Sequence, residues 1–82
     1  MSYSAITTET SNRVGNLIGQ YARMCGRTNT EVAHALLASR TLAKHGYTHE
    51  QRGSLTEEQG KAAIAVLDYW IGKKNDEGVQ AR

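Results

Sequence analysis

The sequence predicts an all-α protein, a small bundle of three main helices with a polar N-terminal arm (residues 1–10) and a frayed C-terminal tail (75–82). Three observations carry this reading. Apolar residues recur at spacings of three and four in three separate stretches. Each stretch is bounded by residues that start or stop helices. There is no proline or phenylalanine, and the strongest hairpin-forming dipeptides are missing.

Met1 to Thr10 is rich in Ser and Thr, and its only aliphatic side chain larger than Ala after the start is Ile6. It reads as an arm that docks through Tyr3 and Ile6. From Thr8 to Cys25, the residues Val14, Leu17, Ile18, Tyr21, Met24 and Cys25 line one helical face. Gly26 is placed to end that helix in the left-handed conformation. Gly15 and Gly19 give a G-x-x-x-G spacing, which close helix packing could offset against the ~1 kcal/mol that glycine costs inside a helix.

The second segment opens on Thr28-Asn29-Thr30-Glu31, a capping box in which the Thr28 hydroxyl and the Glu31 carboxylate satisfy each other's backbone N–H groups. Val32, Ala33, Leu36, Leu37 and Ala43 continue it as one helix, with the Arg40 stem at the edge of the face. Lys44 and His45 suit its C-terminal dipole, and Gly46 stops it. The stretch 46–54 has no sustained period and is expected to form a surface loop or short helical turn. Thr56-Glu57-Glu58-Gln59 is a second capping box. The helix it starts places Ala63, Ile64, Leu67, Trp70 and Ile71 inward, with Val66 and Tyr69 beside that stripe and Lys73 and Lys74 at its end. Short connections favour antiparallel neighbours closing on one core.

At 82 residues the chain holds one domain (1–82). Its interior must be thin, because ten of its apolar positions are alanine. Chains of this size bury only roughly 60% of their unfolded surface. Cys25 is the only cysteine, so no disulfide can staple the chain to itself. No segment is apolar enough to span a membrane, and the polar N-terminus lacks the pattern of a secretory signal, so the expected location is the cytoplasm.

The chemistry of the side chains argues against an enzyme, and no cofactor is implied. Cys25, His34, His45 and His49 match no strong zinc spacing, so no metal site is assigned. Cys25 sits on the apolar stripe, where a free cysteine behaves as a small hydrophobe. Glu57 and Glu58 belong at a helix N-terminus, where their charge is favourable without any acid–base role. No pairing of nucleophile, base and oxyanion donors is visible.

Two surfaces remain. Leu55, Val66, Tyr69 and Trp70 are candidates for a protein-binding face, and an exposed Val66 or Tyr69 would equally suit a second copy of the chain in a homodimer. Arg23, Arg27, Arg40 and Lys44 are candidates for a phosphate-binding face, because the residues before the third helix carry six basic and three acidic side chains. The formal charge of the whole chain is only +2, so nucleic acid is permitted rather than implied.

The stretch Tyr47…Ser54-Leu55-Thr56-Glu57-Glu58-Gln59, followed by Ala62-Ala63-Ile64, Leu67 and Trp70, resembles the last part of small helical modules that end phage proteins. It looks like the C-terminal domain of phage antirepressors and, more loosely, that of phage single-strand annealing proteins of the lambda beta type. The similarity covers residues 28–74. It implies a docking device for partner proteins of recombination, with Leu55, Leu67 and Trp70 organising the binding face, in a bacterial host cell. The expected function is therefore a non-enzymatic phage- or prophage-type interaction module with a protein partner, set in DNA recombination or processing. The alternatives are direct nucleic-acid binding, or inhibition of a host nuclease or bacterial immune complex.

Overall fold

A computed structural model describes residues 5–80 of the chain and the side chains of 5–76. The fold is all-α: helix α1 (Thr8–Cys25), α2 (Asn29–Leu37), α3 (Arg40–Lys44), a 3-10 turn (His49–Gln51) and α4 (Glu57–Gln80).

The boundaries follow from local chemistry. Thr7 caps α1 by accepting the Thr10 N–H at 3.2 Å. Gly26, at φ 68°, ends it, with the Arg27 N–H on the Ala22 carbonyl at 2.9 Å and the Gly26 N–H on that of Arg23 at 3.4 Å. That is a Schellman closure. The Thr28–Glu31 box starts α2 as the sequence predicts, with both arms of the box formed.

The expected second helix is not continuous. It breaks at Ala38 and Ser39, and the Ser39 hydroxyl caps a new five-residue helix by accepting the Leu42 N–H at 3.4 Å. The break resets the helical phase. At about 100° per residue, an unbroken helix would turn Ala43 toward the Val32–Leu36 face and Leu42 away from it. In the fold Leu42 is fully buried and Ala43 is exposed.

The two longest helices pack against each other and run parallel, as the first and third helices of a bundle with antiparallel chain neighbours do. Thr10 meets Glu57 near their starts, and the Tyr21 and Trp70 rings meet 5.5 Å apart further along. The short connections lead to reversals, and α2, α3 and the 3-10 turn together carry the chain back to the end from which it started. α3 packs on α4, and α2 bridges α1 and α4. The core is built from Val14, Leu17, Val32, Leu36, Leu67 and Ile71 together with Leu42 and the alanines at 22, 62 and 63. The alanines let α1 and α4 approach closely.

Two hydrogen-bonded clusters fix the common end of α1 and α4. In the first, Glu57 accepts the Thr7 N–H at 2.9 Å and the Thr10 hydroxyl at 2.6 Å. A carboxylate from one helix thus serves the open N-terminus of its parallel neighbour. Ala5 forms an antiparallel bridge with Thr56, and the Ile6 N–H donates to the Leu55 carbonyl. Ile6 docks as expected; Tyr3, the other proposed anchor, lies outside the described residues. The Ile6 and Thr10 side chains press on α4 at Gly60, where a Cβ would stand 2.7 Å from Ile6 Cδ1 and 2.8 Å from Thr10 Cγ2. Close approach at a glycine therefore occurs at Gly60. Gly15 has nothing within 4 Å, and Gly19 meets only the ends of two side chains, so the G-x-x-x-G spacing is not a packing site.

In the second cluster, two glutamine amides organise the loop before α4. The Gln59 amide group donates to the His45 carbonyl at 2.9 Å, and its oxygen accepts the Thr56 N–H at 3.1 Å and the Gln51 amide at 2.8 Å. Gln51 in turn accepts the Thr48 N–H and donates to the Ser54 carbonyl. The Tyr47 hydroxyl accepts the Gly53 N–H at 2.9 Å. The loop is thus an ordered strap across the helix start, and Gln59 is buried within it.

At the other end α4 continues to Gln80, past Ile71, the last buried residue among the side chains described. The predicted frayed tail from Asn75 is helical as far as the description extends. Its 24 residues project beyond the 18-residue α1 and give the molecule extents of 51 × 22 × 17 Å. Among the described residues no helix is long and apolar enough to cross a membrane.

Candidate functional site

The α4 surface carries the most distinctive exposed chemistry. Ala63, Leu67 and Ile71 turn into the core, which leaves Val66 and Trp70 at the margin, half-buried, and Tyr69 outside with 64% of its surface exposed. Tyr69 is the large hydrophobic side chain most open to solvent among the described residues.

Across from these residues stands the start of α3. Ser39, held at the helix break, and Thr41 form one wall of a cleft of about 310 Å³, and Ala65, Val66, Tyr69 and Trp70 form the other. The break at residues 38–39 therefore does two things. It turns Leu42 inward, and it places two small polar residues opposite an aromatic pair.

The Trp70 indole also borders a second cleft of about 250 Å³, toward the end of α1 and the first turns of α2, lined by Tyr21, Cys25, Val32 and Ala35 and by the paired Arg27 and Glu31. The Tyr21 ring, tilted 35° to the indole, packs against it and holds its orientation. Trp70 is thus a partition between two shallow depressions, one edged by Ser39 and Thr41 and the other by Arg27 and Glu31.

Of the four proposed partner-binding residues, the fold brings Val66, Tyr69 and Trp70 together and sets Leu55 apart. Leu55 is half-buried at the start of α4, about 20 Å along the helix axis from Trp70, where it borders depressions beside Ala5 and Ser54. The turn count between Glu57 and Trp70 already contains this separation.

The four proposed phosphate-binding residues are likewise divided between two elements. Arg23 and Arg27 lie at the end of α1, Arg40 and Lys44 lie on α3, and α1 with α3 is not one of the main helix pairings. Arg27 is engaged by Glu31 at 3.6 Å. Arg23, Arg40 and Lys44 are exposed.

The residues with catalytic or ligating potential have local roles. Hydrogen bonds from the Thr10 hydroxyl and then the Thr7 N–H hold the Glu57 carboxyl below its ordinary pKa. Glu31 is lowered chiefly by the Thr28 N–H, then by the Thr28 hydroxyl. Both are helix-start carboxylates kept charged. His45 Nδ1 lies 2.8 Å from the Thr41 carbonyl at the end of α3, while His34 and His49 are exposed. Cys25 is a half-buried free thiol. Among the described residues, no group of three or more His, Cys, Asp or Glu side chains is placed to hold a metal ion.

No family model, curated protein or solved structure matches the chain. The cleft wall supplied by Ser39 and Thr41 is absent from the reading of the sequence. Its signal is Leu42, a large aliphatic residue out of phase with Val32 and Leu36, preceded three positions earlier by a capping serine.

Proposed function

We propose that this chain is a non-enzymatic helical interaction module that engages a protein partner through the Val66–Tyr69–Trp70 face of α4. The setting suggested by its resemblance to phage C-terminal modules is a phage or prophage assembly for DNA recombination or processing, in the cytoplasm of a bacterial host. The observation that supports this reading is the exposed Tyr69 ring beside a Trp70 indole already fixed by Tyr21. Single exposed apolar residues are ordinary, but an aromatic pair flanking a concave apolar cleft is the composition found at the energetic centres of protein interfaces. Because Tyr21 orients the indole in advance, little side-chain entropy is lost on binding. An inhibitor of a host nuclease or immune complex would use the same face and differ only in its target.

Direct nucleic-acid binding draws less support, since the four basic candidates are split between α1 and α3 and Arg27 is paired. The test is a pull-down from bacterial lysate with the wild-type chain and a Val66→Asp/Tyr69→Asp variant as bait, both shown to be helical by circular dichroism. At least one protein is expected to be retained by the wild type and lost with the variant. Capture of no protein above background, or of the same set by both baits, removes the proposal. Light scattering over a range of concentrations reports whether the partner is a second copy.

A further inference from the structure

The chemistry of the rim around the α3–α4 cleft specifies what kind of partner segment it suits. We infer that the cleft takes an acidic amphipathic segment, with an apolar side chain seated between Ser39–Thr41 and Val66–Tyr69–Trp70 and carboxylates facing Arg40, Lys44 and Lys73. The inference rests on the reading of this face as a protein-binding surface and adds the charge class of the partner.

Three exposed cations lie within one helical turn, along the chain, of residues that line the cleft. Arg40 stands in the chain between Ser39 and Thr41, the two residues of the α3 wall. Lys44 follows Thr41 by three residues and so lies on the same side of α3. Lys73 follows Tyr69 by four and Trp70 by three, one turn beyond the aromatic pair on the same side of α4. The nearest acid in sequence, Asp68, follows the lining residue Ala65 by three and is turned about 100° round the α4 axis from Tyr69, away from Val66 and Trp70, so one acid stands against three cations around the cleft. Asp76 lies a further turn out, on the projecting part of the helix. The sequence reading placed Arg40 and Lys44 in a phosphate-binding set with Arg23 and Arg27. In the fold the start of the Arg40–Lys44 helix, at Ser39 and Thr41, faces the aromatic residues of α4 across the cleft. A concave apolar cleft with cations at its margin matches an anchored helix or peptide bearing carboxylates. Single-stranded nucleic acid calls for a succession of exposed rings along a basic groove, and among the described residues Tyr69 alone is open.

Trp70 is the sole tryptophan, so its emission reads the cleft directly. The probes are labelled peptides of about 14 residues, free of tryptophan, with leucine at one-turn spacing and the other positions filled by Glu and Ala or by Lys and Ala. At low salt the Glu series is expected to shift Trp70 emission to the blue and to bind at least roughly tenfold more tightly than the Lys series, the difference shrinking as salt screens the rim. Arg40→Glu and Lys73→Glu should each weaken the Glu series roughly two- to fivefold, and the double variant should favour the Lys series. Equal binding of both series with dependence on Tyr69 retained overturns the charge assignment alone. Binding that ignores Tyr69→Ala overturns the binding face as well. Tighter binding of oligothymidine than of the Glu peptide, or no binding by either series up to about 1 mM, also overturns the inference.

Discussion

Replacing Gly60 by alanine puts a methyl group where Ile6 and Thr10 already stand. The new Cβ would lie 2.7 Å from Ile6 Cδ1, 2.8 Å from Thr10 Cγ2 and 3.2 Å from Ile6 Cγ1. Carbon atoms rest at about 3.5–4.0 Å, so two contacts fall short by roughly 1 Å. The end of Ile6 can swing aside. Thr10 cannot do so freely, because its hydroxyl is held at 2.6 Å by Glu57 and at 3.0 Å by Thr7. Rotating its methyl away breaks the clasp that starts α1. Alanine gains about 1 kcal/mol of helix propensity over glycine. Overpacking costs about 1–3 kcal/mol. The net expectation is a loss of about 1 kcal/mol, or roughly 4–8 °C in melting temperature for a domain of this size. Gly15→Ala is the matched control: that site is exposed with nothing within 4 Å, so only the propensity gain of about 1 kcal/mol operates.

Urea denaturation of the two variants should therefore separate them by about 2 kcal/mol in opposite directions from wild type. Adding Ile6→Ala and Thr10→Ser to Gly60→Ala opens the space while keeping the hydroxyl. The combined variant should lose less than the sum of its parts. If Gly60→Ala proves as stable as Gly15→Ala, the docking of the arm on α4 is wrong.

The Glu57 clasp predicts a pH response. Its folded pKa is depressed, so its contribution is complete above the ordinary value of 4.5 and declines as the pH falls through the lowered folded value. Wild-type stability should fall more steeply below pH 4.5 than that of Glu57→Gln, and identical acid profiles would refute the clasp. Gln59→Ala leaves the Thr56 N–H, the His45 carbonyl and the Gln51 amide without their shared partner. A loss of roughly 1–3 kcal/mol is expected, with faster hydrogen exchange at Thr56; an unchanged exchange rate would contradict the strap. Leu42→Ala should cost about 2–5 kcal/mol while Ala43→Ser stays within about 0.5 kcal/mol, and the reverse order in a denaturation series would restore the unbroken second helix.

Much of the fold is legible in the chain because it is local. Thr28 with Glu31 and Thr56 with Gln59 satisfy helix-start N–H groups within four residues, and the closure at Gly26 needs only the αL conformation. These devices form wherever the helix goes. The break in the second helix is hidden in the sequence because the helical period runs on through Ala38 to Ala43: Ser39 looks like an interior residue until Leu42 is required inside. The candidate face was half legible. Val66, Tyr69 and Trp70 emerge from their angular positions on one helix, but their opposite wall, Ser39 and Thr41, depends on where α3 comes to rest.

The amino-acid order by itself determined where α1, α2 and α4 begin, where α1 ends and which stripe of α1 and α4 is apolar, since these are set by hydrogen bonds and side-chain spacing within a few residues. Only the tertiary structure decided that α1 and α4 start side by side at one end, that Glu57 closes the start of the other helix, and that Gly60 rather than Gly15 or Gly19 is the point of close approach. These features join residues about fifty positions apart. No local periodicity records them, because they depend on how the intervening helices return the chain to the end from which it began.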